Sequence, residues 1–102
     1  MSVAFTPIEA ATVKIAVTAA SGNVAIVTSG RSLLLSNAGT KVCFVRRGTS
    51  SAAVALSEAD TPVLPGRELL ISKTPKVTYI AAICAGSDST TLYITPGDGV
   101  YT

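Results

Sequence analysis

The chain is built from short runs of β-branched and aliphatic residues that turn residues interrupt about every eight to twelve positions. VKIAVTA, SLLLS, KVCFVRR and VTYIAAICA are examples, and SG, NAGT, GTSS and PGDG are among the interruptions. This spacing is typical of an all-β sandwich or small barrel, and no run of ten or more residues has a helical period. We therefore predict a single-domain antiparallel β-sandwich of about eight strands, jelly-roll or Greek-key-like in connectivity, with almost no helix.

Local patterns give more specific expectations for the strands and turns. The alternation over 11–19 predicts a half-buried strand, and the apolar VTYIAAICA segment predicts a central strand. Asn37 and Gly39 tolerate positive φ, so the NAGT segment is predicted to be a hairpin turn. A short strand is expected over 52–56 and an exposed loop over 57–66. A tight terminal turn is expected over 96–99.

The first ten residues differ from the rest of the chain. Pro7 introduces a kink and removes a hydrogen-bond donor, and residues 1–10 have no clean period. We therefore divide the chain into an N-terminal arm, residues 1–10, and a sandwich domain, residues 11–102. Val3, Phe5 and Ile8 are candidate interface residues, because an apolar arm can add a strand to the sheet edge of a neighbouring subunit. The alternative is that the arm packs on its own domain.

The composition indicates a surface that is partly covered by other subunits. Hydrophobic residues make up 48% of the 102 residues and charged residues only 14%, while Ser and Thr supply much of the polar remainder. A free monomer usually carries more charge than this, so we expect a homo-oligomer. The net charge of +2 is too small to indicate nucleic-acid binding. No apolar run is long enough for a membrane span and no secretory signal is recognisable, so we expect no membrane association and no export.

The residues that carry most enzyme chemistry are missing or scattered. There is no histidine, and the six acidic residues lie mostly in predicted loops. Glu58 and Asp60 are close in sequence but have no partner to orient them. No nucleophile elbow, phosphate loop or metal-ligand spacing occurs, and we expect no enzyme, no cofactor and no metal site. Cys43 and Cys84 lie within apolar runs and are predicted to be buried free thiols.

Three further residues are candidates for contact with a partner. Arg46 and Arg47 end a strand, and successive strand residues face opposite ways, so one of them is expected to face outward and pair with acidic groups of a partner. The alternative is a pair of solvated charges at a strand end. Tyr101 follows the last turn, and it is either tucked onto its own domain or buried in a neighbour.

From Arg31 onward the order of motifs resembles a group of small structural proteins of tailed bacteriophage virions. The shared pieces are the N-A-G-T turn at 37–40, the F-V-x-x-G-x-S segment at 44–50, the P-x-x-P-G loop at 62–66 and the Y-I-T-P-G-[DE]-G segment at 93–99. The resemblance covers roughly the last 70 residues and little of the N-terminal third.

The resemblance implies a non-catalytic virion protein of the capsid decoration or cement type. Such a protein would be made in the host cytoplasm, bind the major capsid protein on the capsid surface, and bridge and stabilise its subunits. The alternatives are a neck, tail or baseplate adaptor present in few copies and bound to other virion proteins, and a ligand-binding sandwich on a fibre. The last would need exposed aromatic residues, for which only Tyr79, Tyr93 and Tyr101 are available.

Overall fold

A computed structural model describes residues 5–27, 29–50, 54–55 and 59–98 of the chain. Within these residues it contains nine β-strands and no helix, and therefore no helix that could cross a membrane. The strands are β1 Thr6–Pro7, β2 Val13–Val17, β3 Gly22–Ala25, β4 Ser32–Asn37, β5 Cys43–Gly48, β6 Thr61–Val63, β7 Glu68–Ser72, β8 Tyr79–Cys84 and β9 Thr90–Asp98. The prediction of an all-β antiparallel sandwich with almost no helix is confirmed.

The strands form two antiparallel sheets with jelly-roll connectivity. Sheet A has the order β1-β9-β4-β7, with β2 also paired to β9, and sheet B has the order β3-β8-β5-β6. Apart from β1, the pairs β2·β9, β3·β8, β4·β7 and β5·β6 form one long antiparallel ribbon that is folded over on itself. From β2 onward, successive strands therefore alternate between the sheets, except β5 and β6, which is the connectivity of a jelly roll.

The core lies between the sheets and follows the two-residue period of the strands. In β2, Ile15 and Val17 are buried while Lys14 and Ala16 are exposed, as the sequence alternation predicts. Leu33, Leu35, Ile80, Leu92 and Ile94 have no exposed surface at all. β8 is central in sheet B, which confirms the prediction for the VTYIAAICA segment.

The outer face of sheet B contains a fully buried residue. Ala81 points away from the core, since its neighbours Ile80 and Ala82 belong to the core, yet none of its surface is exposed. Ala55, between β5 and β6 in the chain, is also buried and donates its N–H to Ser21 Oγ just before β3 (2.9 Å). Ala55 therefore lies beside the start of β3, two strands away from β5 in sheet B.

Asn37, at the end of β4, is a buried hydrogen-bonding centre with 2% of its surface exposed. Its Nδ2 donates to the carbonyl oxygens of Lys41 (2.8 Å) and Val63 (2.9 Å). Its Oδ1 accepts from the hydroxyl of Thr90 (2.6 Å) and from the N–H of Gly39 (3.1 Å). One side chain therefore joins β4 to the chain before β5, to β6 and to β9.

The predicted hairpin at Asn37–Thr40 is wrong. β4 and β5 belong to different sheets, so this segment crosses between sheets, and neither Asn37 nor Gly39 has a positive φ. Gly39 is required for a different reason, because a Cβ at this position would collide with the side chain of Thr90.

Two segments expected to be irregular form strands. Thr61–Val63, inside the predicted loop 57–66, is β6 and pairs with β5. Pro96 and Gly97 continue β9 instead of forming a terminal turn. Proline fits at this position because the N–H that it lacks would point toward the break between β1 and β2. The Pro96 carbonyl oxygen is on the same side and accepts a hydrogen bond from Ile8 N (2.8 Å). Of the strand predicted over 52–56, only Val54 and Ala55 are described, and neither is in a strand.

Replacement of Asn37 by alanine should lower the free energy of unfolding by about 3 kcal/mol, because buried partners such as Val63 O and Thr90 Oγ1 lose their hydrogen bonds. The matched control is Ser36→Ala in the same strand, whose hydroxyl makes one exposed bond to Glu68 and whose loss should cost less than about 0.5 kcal/mol. Urea unfolding of both variants measures the difference, and equal losses would contradict the role assigned to Asn37.

Candidate interaction surfaces

The two adjacent arginines lie at a cleft of about 200 Å³ along the edge of the sandwich. Arg46 is on the outer face of sheet B, and its Nε donates to Asp60 Oδ1 (3.0 Å). Arg47 is on the core side of β5 and reaches across to sheet A, where it donates to Ser72 O in β7 (2.6 Å). The cleft is lined by Val45, Arg46, Arg47, Asp60, Thr61 and Ile71.

Each arginine is held by its own chain and still presents donors to solvent. The Arg46 side chain remains 47% exposed although it is paired, whereas that of Asp60 is only 13% exposed. A guanidinium has five N–H donors in a planar fork, so one tether fixes its direction and leaves donors for a carboxylate or a carbonyl oxygen. The arrangement suits recognition of acidic or peptide-oxygen groups on a protein surface. The expectation that one arginine faces outward fits Arg46.

The described part of the arm packs on its own sheet. Thr6 and Pro7 pair with Asp98 and Gly97 of β9, so this part of the arm forms a strand, contrary to expectation. Phe5 lies over Gly97, because a Cβ added at Gly97 would be 2.7 Å from Phe5 Cζ. Ile8 lies against Gly30, where an added Cβ would be 3.2 Å from Ile8 Cδ1. Exchange of the arm between subunits stays a prediction. Val3 and Tyr101 lie outside the described residues.

A third surface is the outer face of sheet A, which we call the open face. Its central row crosses four strands and is formed by residues in register, namely Lys14, Tyr93, Ser36 and Glu68. The next row contains Thr95, Leu34 and Leu70. Tyr93 is 39% exposed although it lies in a strand with a buried face. Ala16, Thr91 and Thr12 extend the face, so that its only charged members among these residues are Lys14 and Glu68.

The open face cannot be recognised from the sequence alone. The alternation in β2 correctly placed Lys14 outside, but nothing local brings it into one row with Glu68, which is distant in sequence. The row exists only because β2, β9, β4 and β7 are neighbours in that order. The sequence did contain one signal of this row. The two outer strands that the row crosses, β2 and β7, each carry a single charged residue that faces outward, Lys14 and Glu68.

Cys43 and Cys84 are opposite each other in β5 and β8, and both are buried free thiols, as predicted. Burial, and to a smaller degree the neighbouring Cys84, raises the pKa of Cys43 from 9.0 to about 12. Burial also raises the pKa of Cys84, with Asp88 contributing. Thiolates are the reactive form of cysteine, so both groups behave here as core residues.

Lys73 is buried between β7 and β8, with 5% of its surface exposed. Its backbone N–H donates to Arg31 O (2.9 Å), and the backbone N–H of Arg31 donates to Asp98 Oδ1 (2.9 Å). Burial lowers the pKa of Lys73, and the carboxylate of Asp98 acts in the opposite direction. Among the residues that the structure describes, no group of three or more His, Cys, Asp or Glu side chains could hold a metal ion.

Comparison with known proteins adds no relative to this description. The chain matches no protein-family model, and no curated protein sequence and no solved structure shows significant similarity to it. The surfaces therefore have to be interpreted from their own geometry and chemistry.

The free energy of unfolding should fall as the pH rises above 9. The unfolded chain releases its thiol protons near pH 9.0, whereas folded Cys43 keeps its proton up to about pH 12. The unfolded state therefore binds fewer protons in this window, and each thiol contributes a loss of up to about 1.4 kcal/mol per pH unit. Urea unfolding of wild type and Cys43→Ala between these pH values should give a shallower slope for the variant. Parallel slopes would contradict the raised pKa.

Proposed function

We propose that the protein is a non-catalytic structural component of a bacteriophage virion, and that it acts as a capsid decoration protein. It would bridge neighbouring subunits of the major capsid protein on the outside of the shell. The sequence motifs that resemble phage virion proteins are the starting point for this proposal. The observation that supports it on the molecule is the arginine cleft, formed by Arg46, Arg47 and the other lining residues given above.

The cleft has the properties of a protein-docking site. Arg46 and Arg47 are fixed by Asp60 and Ser72, so little side-chain entropy remains to be lost when a partner binds. Ile71, which is only partly buried, lines the cleft beside the guanidinium groups. Arginine beside apolar contact is a favoured composition at protein interfaces.

A decoration protein needs modest contacts that are repeated many times and a body that does not rearrange. When copies are arranged by the symmetry of a shell, weak individual contacts add up through multivalency. The fold supplies a rigid body, since every buried side-chain nitrogen and oxygen among the described residues has a hydrogen-bond partner. A neck or tail adaptor would need the same rigidity in far fewer copies.

The copy number in purified particles separates these roles. Quantitative mass spectrometry against the major capsid protein should find hundreds of copies of a decoration protein, because repetition is what makes its weak contacts effective. About a dozen copies or fewer would move the protein to the neck or tail. Its absence from particles would refute the proposal.

Removing the arginine cleft should weaken binding to particles that lack the protein. We expect Arg46→Ala combined with Arg47→Ala to raise the dissociation constant by roughly tenfold, since charged interface contacts of this kind are worth about 1 to 2 kcal/mol. Arg67→Ala is the matched control, because it removes an exposed arginine from the turn between β6 and β7. Co-sedimentation with particles measures binding, and urea unfolding checks that the double variant is folded. Unchanged binding of a folded double variant would exclude the cleft as the contact.

A further inference from the structure

We infer that the open face of sheet A is a homodimer interface, in which two copies pack face to face about a two-fold axis that runs along the strands. The occupant is a second copy of this chain. The inference rests on the arrangement of the open face and does not depend on the proposed virion role.

The two outer faces of the sandwich differ at their centres. On the outer face of sheet B, Ala81 is fully buried between its partners in register, Asn23 and Arg46. On sheet A, the residue at the centre of the corresponding face is Tyr93, and 39% of it is exposed. Leu34, Leu70 and the threonines of β9 surround it with little charge. Central tyrosines with a weakly charged surround are characteristic of interface centres.

The two charged residues of the open face are placed at its opposite edges. Lys14 and Glu68 are in the same row but on opposite edges of the sheet, with Tyr93 and Ser36 between them. Three strand spacings of about 4.8 Å separate them by roughly 14 Å, so they cannot pair with each other within one chain. Both residues are exposed.

A two-fold axis along the strands makes this row complementary to itself. Rotation about an axis between β9 and β4 brings Lys14 opposite Glu68 of the partner subunit, and Glu68 opposite Lys14 of the partner subunit. Tyr93 then faces Ser36 of the partner subunit. A two-fold axis perpendicular to the strands would instead place like charges opposite each other, which is unfavourable.

The expected sheet-to-sheet geometry accommodates these pairs. Sheets pack face to face about 10 Å apart, a gap that a lysine and a glutamate side chain together can span. Aligned sheets cross at about 30°, which shifts facing residues at the edges by only about 4 Å, within the reach of a lysine side chain. The isologous contact is also the kind that closes a C2 dimer.

The size of the open face predicts a weak dimer. Four strands about 4.8 Å apart and three rows about 6.8 Å apart cover roughly 400 Å² on each copy. A total of about 800 Å² is below the size of most stable interfaces and is typical of weak, transient ones. The dimer should therefore form in the micromolar to millimolar range, and binding should weaken with salt because two exposed ion pairs contribute.

Charge swapping tests this geometry. In Lys14→Glu the introduced carboxylate faces Glu68 of the partner subunit, and in Glu68→Lys the introduced ammonium faces Lys14 of the partner subunit. Each single variant should raise the dimer dissociation constant by about tenfold or more, because two attractive pairs become repulsive. Lys14→Glu combined with Glu68→Lys in one chain should restore dimerisation. An equimolar mixture of the two single variants should also dimerise, because both contacts of the heterodimer pair opposite charges.

Sedimentation velocity at low salt, from about 10 µM to about 1 mM protein, measures the association. Lys76→Glu is the matched control, since it makes the same change of charge at an exposed position between β7 and β8, away from the open face. Three results would each overturn the inference: a wild type that stays monomeric, a Lys76→Glu variant as weak as Lys14→Glu, or a mixture of single variants that remains monomeric. The copy number in particles is a separate readout, so failure of the dimer does not decide the virion role.

Discussion

The hydrogen bonds of the Asn37 side chain are the interaction on which one end of the sandwich depends. In a jelly roll, most strands that follow each other in sequence lie in different sheets, so no hairpin ladder fixes the turns between them. The Asn37 amide substitutes for that ladder by bonding to Lys41 O, Val63 O and Thr90 Oγ1. Each partner belongs to, or adjoins, a different strand. Because the amide is buried, each lost bond leaves a polar atom without water, which makes the arrangement strongly specified.

The same connectivity decides which surfaces are available to a partner. β5 and β6 are consecutive in the chain and adjacent in sheet B, and Ala55 between them bonds to Ser21 just before β3. Tyr93 on the outer face of sheet A remains partly exposed, whereas Ala81 on the outer face of sheet B is fully buried. At the sandwich edge, Arg47 of β5 bonds to Ser72 of β7 and ties the two sheets together. The open face and the arginine cleft are thus consequences of one chain path.

The sequence was sufficient for features that depend on local period and insufficient for features that depend on pairing. Alternation correctly placed Ile15 and Val17 inside and Lys14 outside, and apolar context correctly buried Cys43 and Cys84. The NAGT segment looked like a hairpin because Asn and Gly favour turns, but both residues serve contacts with Thr90, which is distant in sequence. Among the site residues, the sequence indicated that one of the two arginines faces outward, but not which one. Asp60, the partner of Arg46, was not predictable, because the pairing of β6 with β5 brings it there.

Lys14 and Glu68 show how two charges can specify an interface that is otherwise nearly uncharged. A face of serine, threonine and aliphatic residues can slide against many surfaces with similar energy, so complementarity of shape alone gives it little orientation. One charge at each edge changes this, because only one of the two in-plane two-fold axes places opposite charges together. Each pair by itself adds little affinity at an exposed edge. Its effect is to penalise the wrong orientation, which is why swapping the two charges should preserve dimerisation while reversing either one should weaken it.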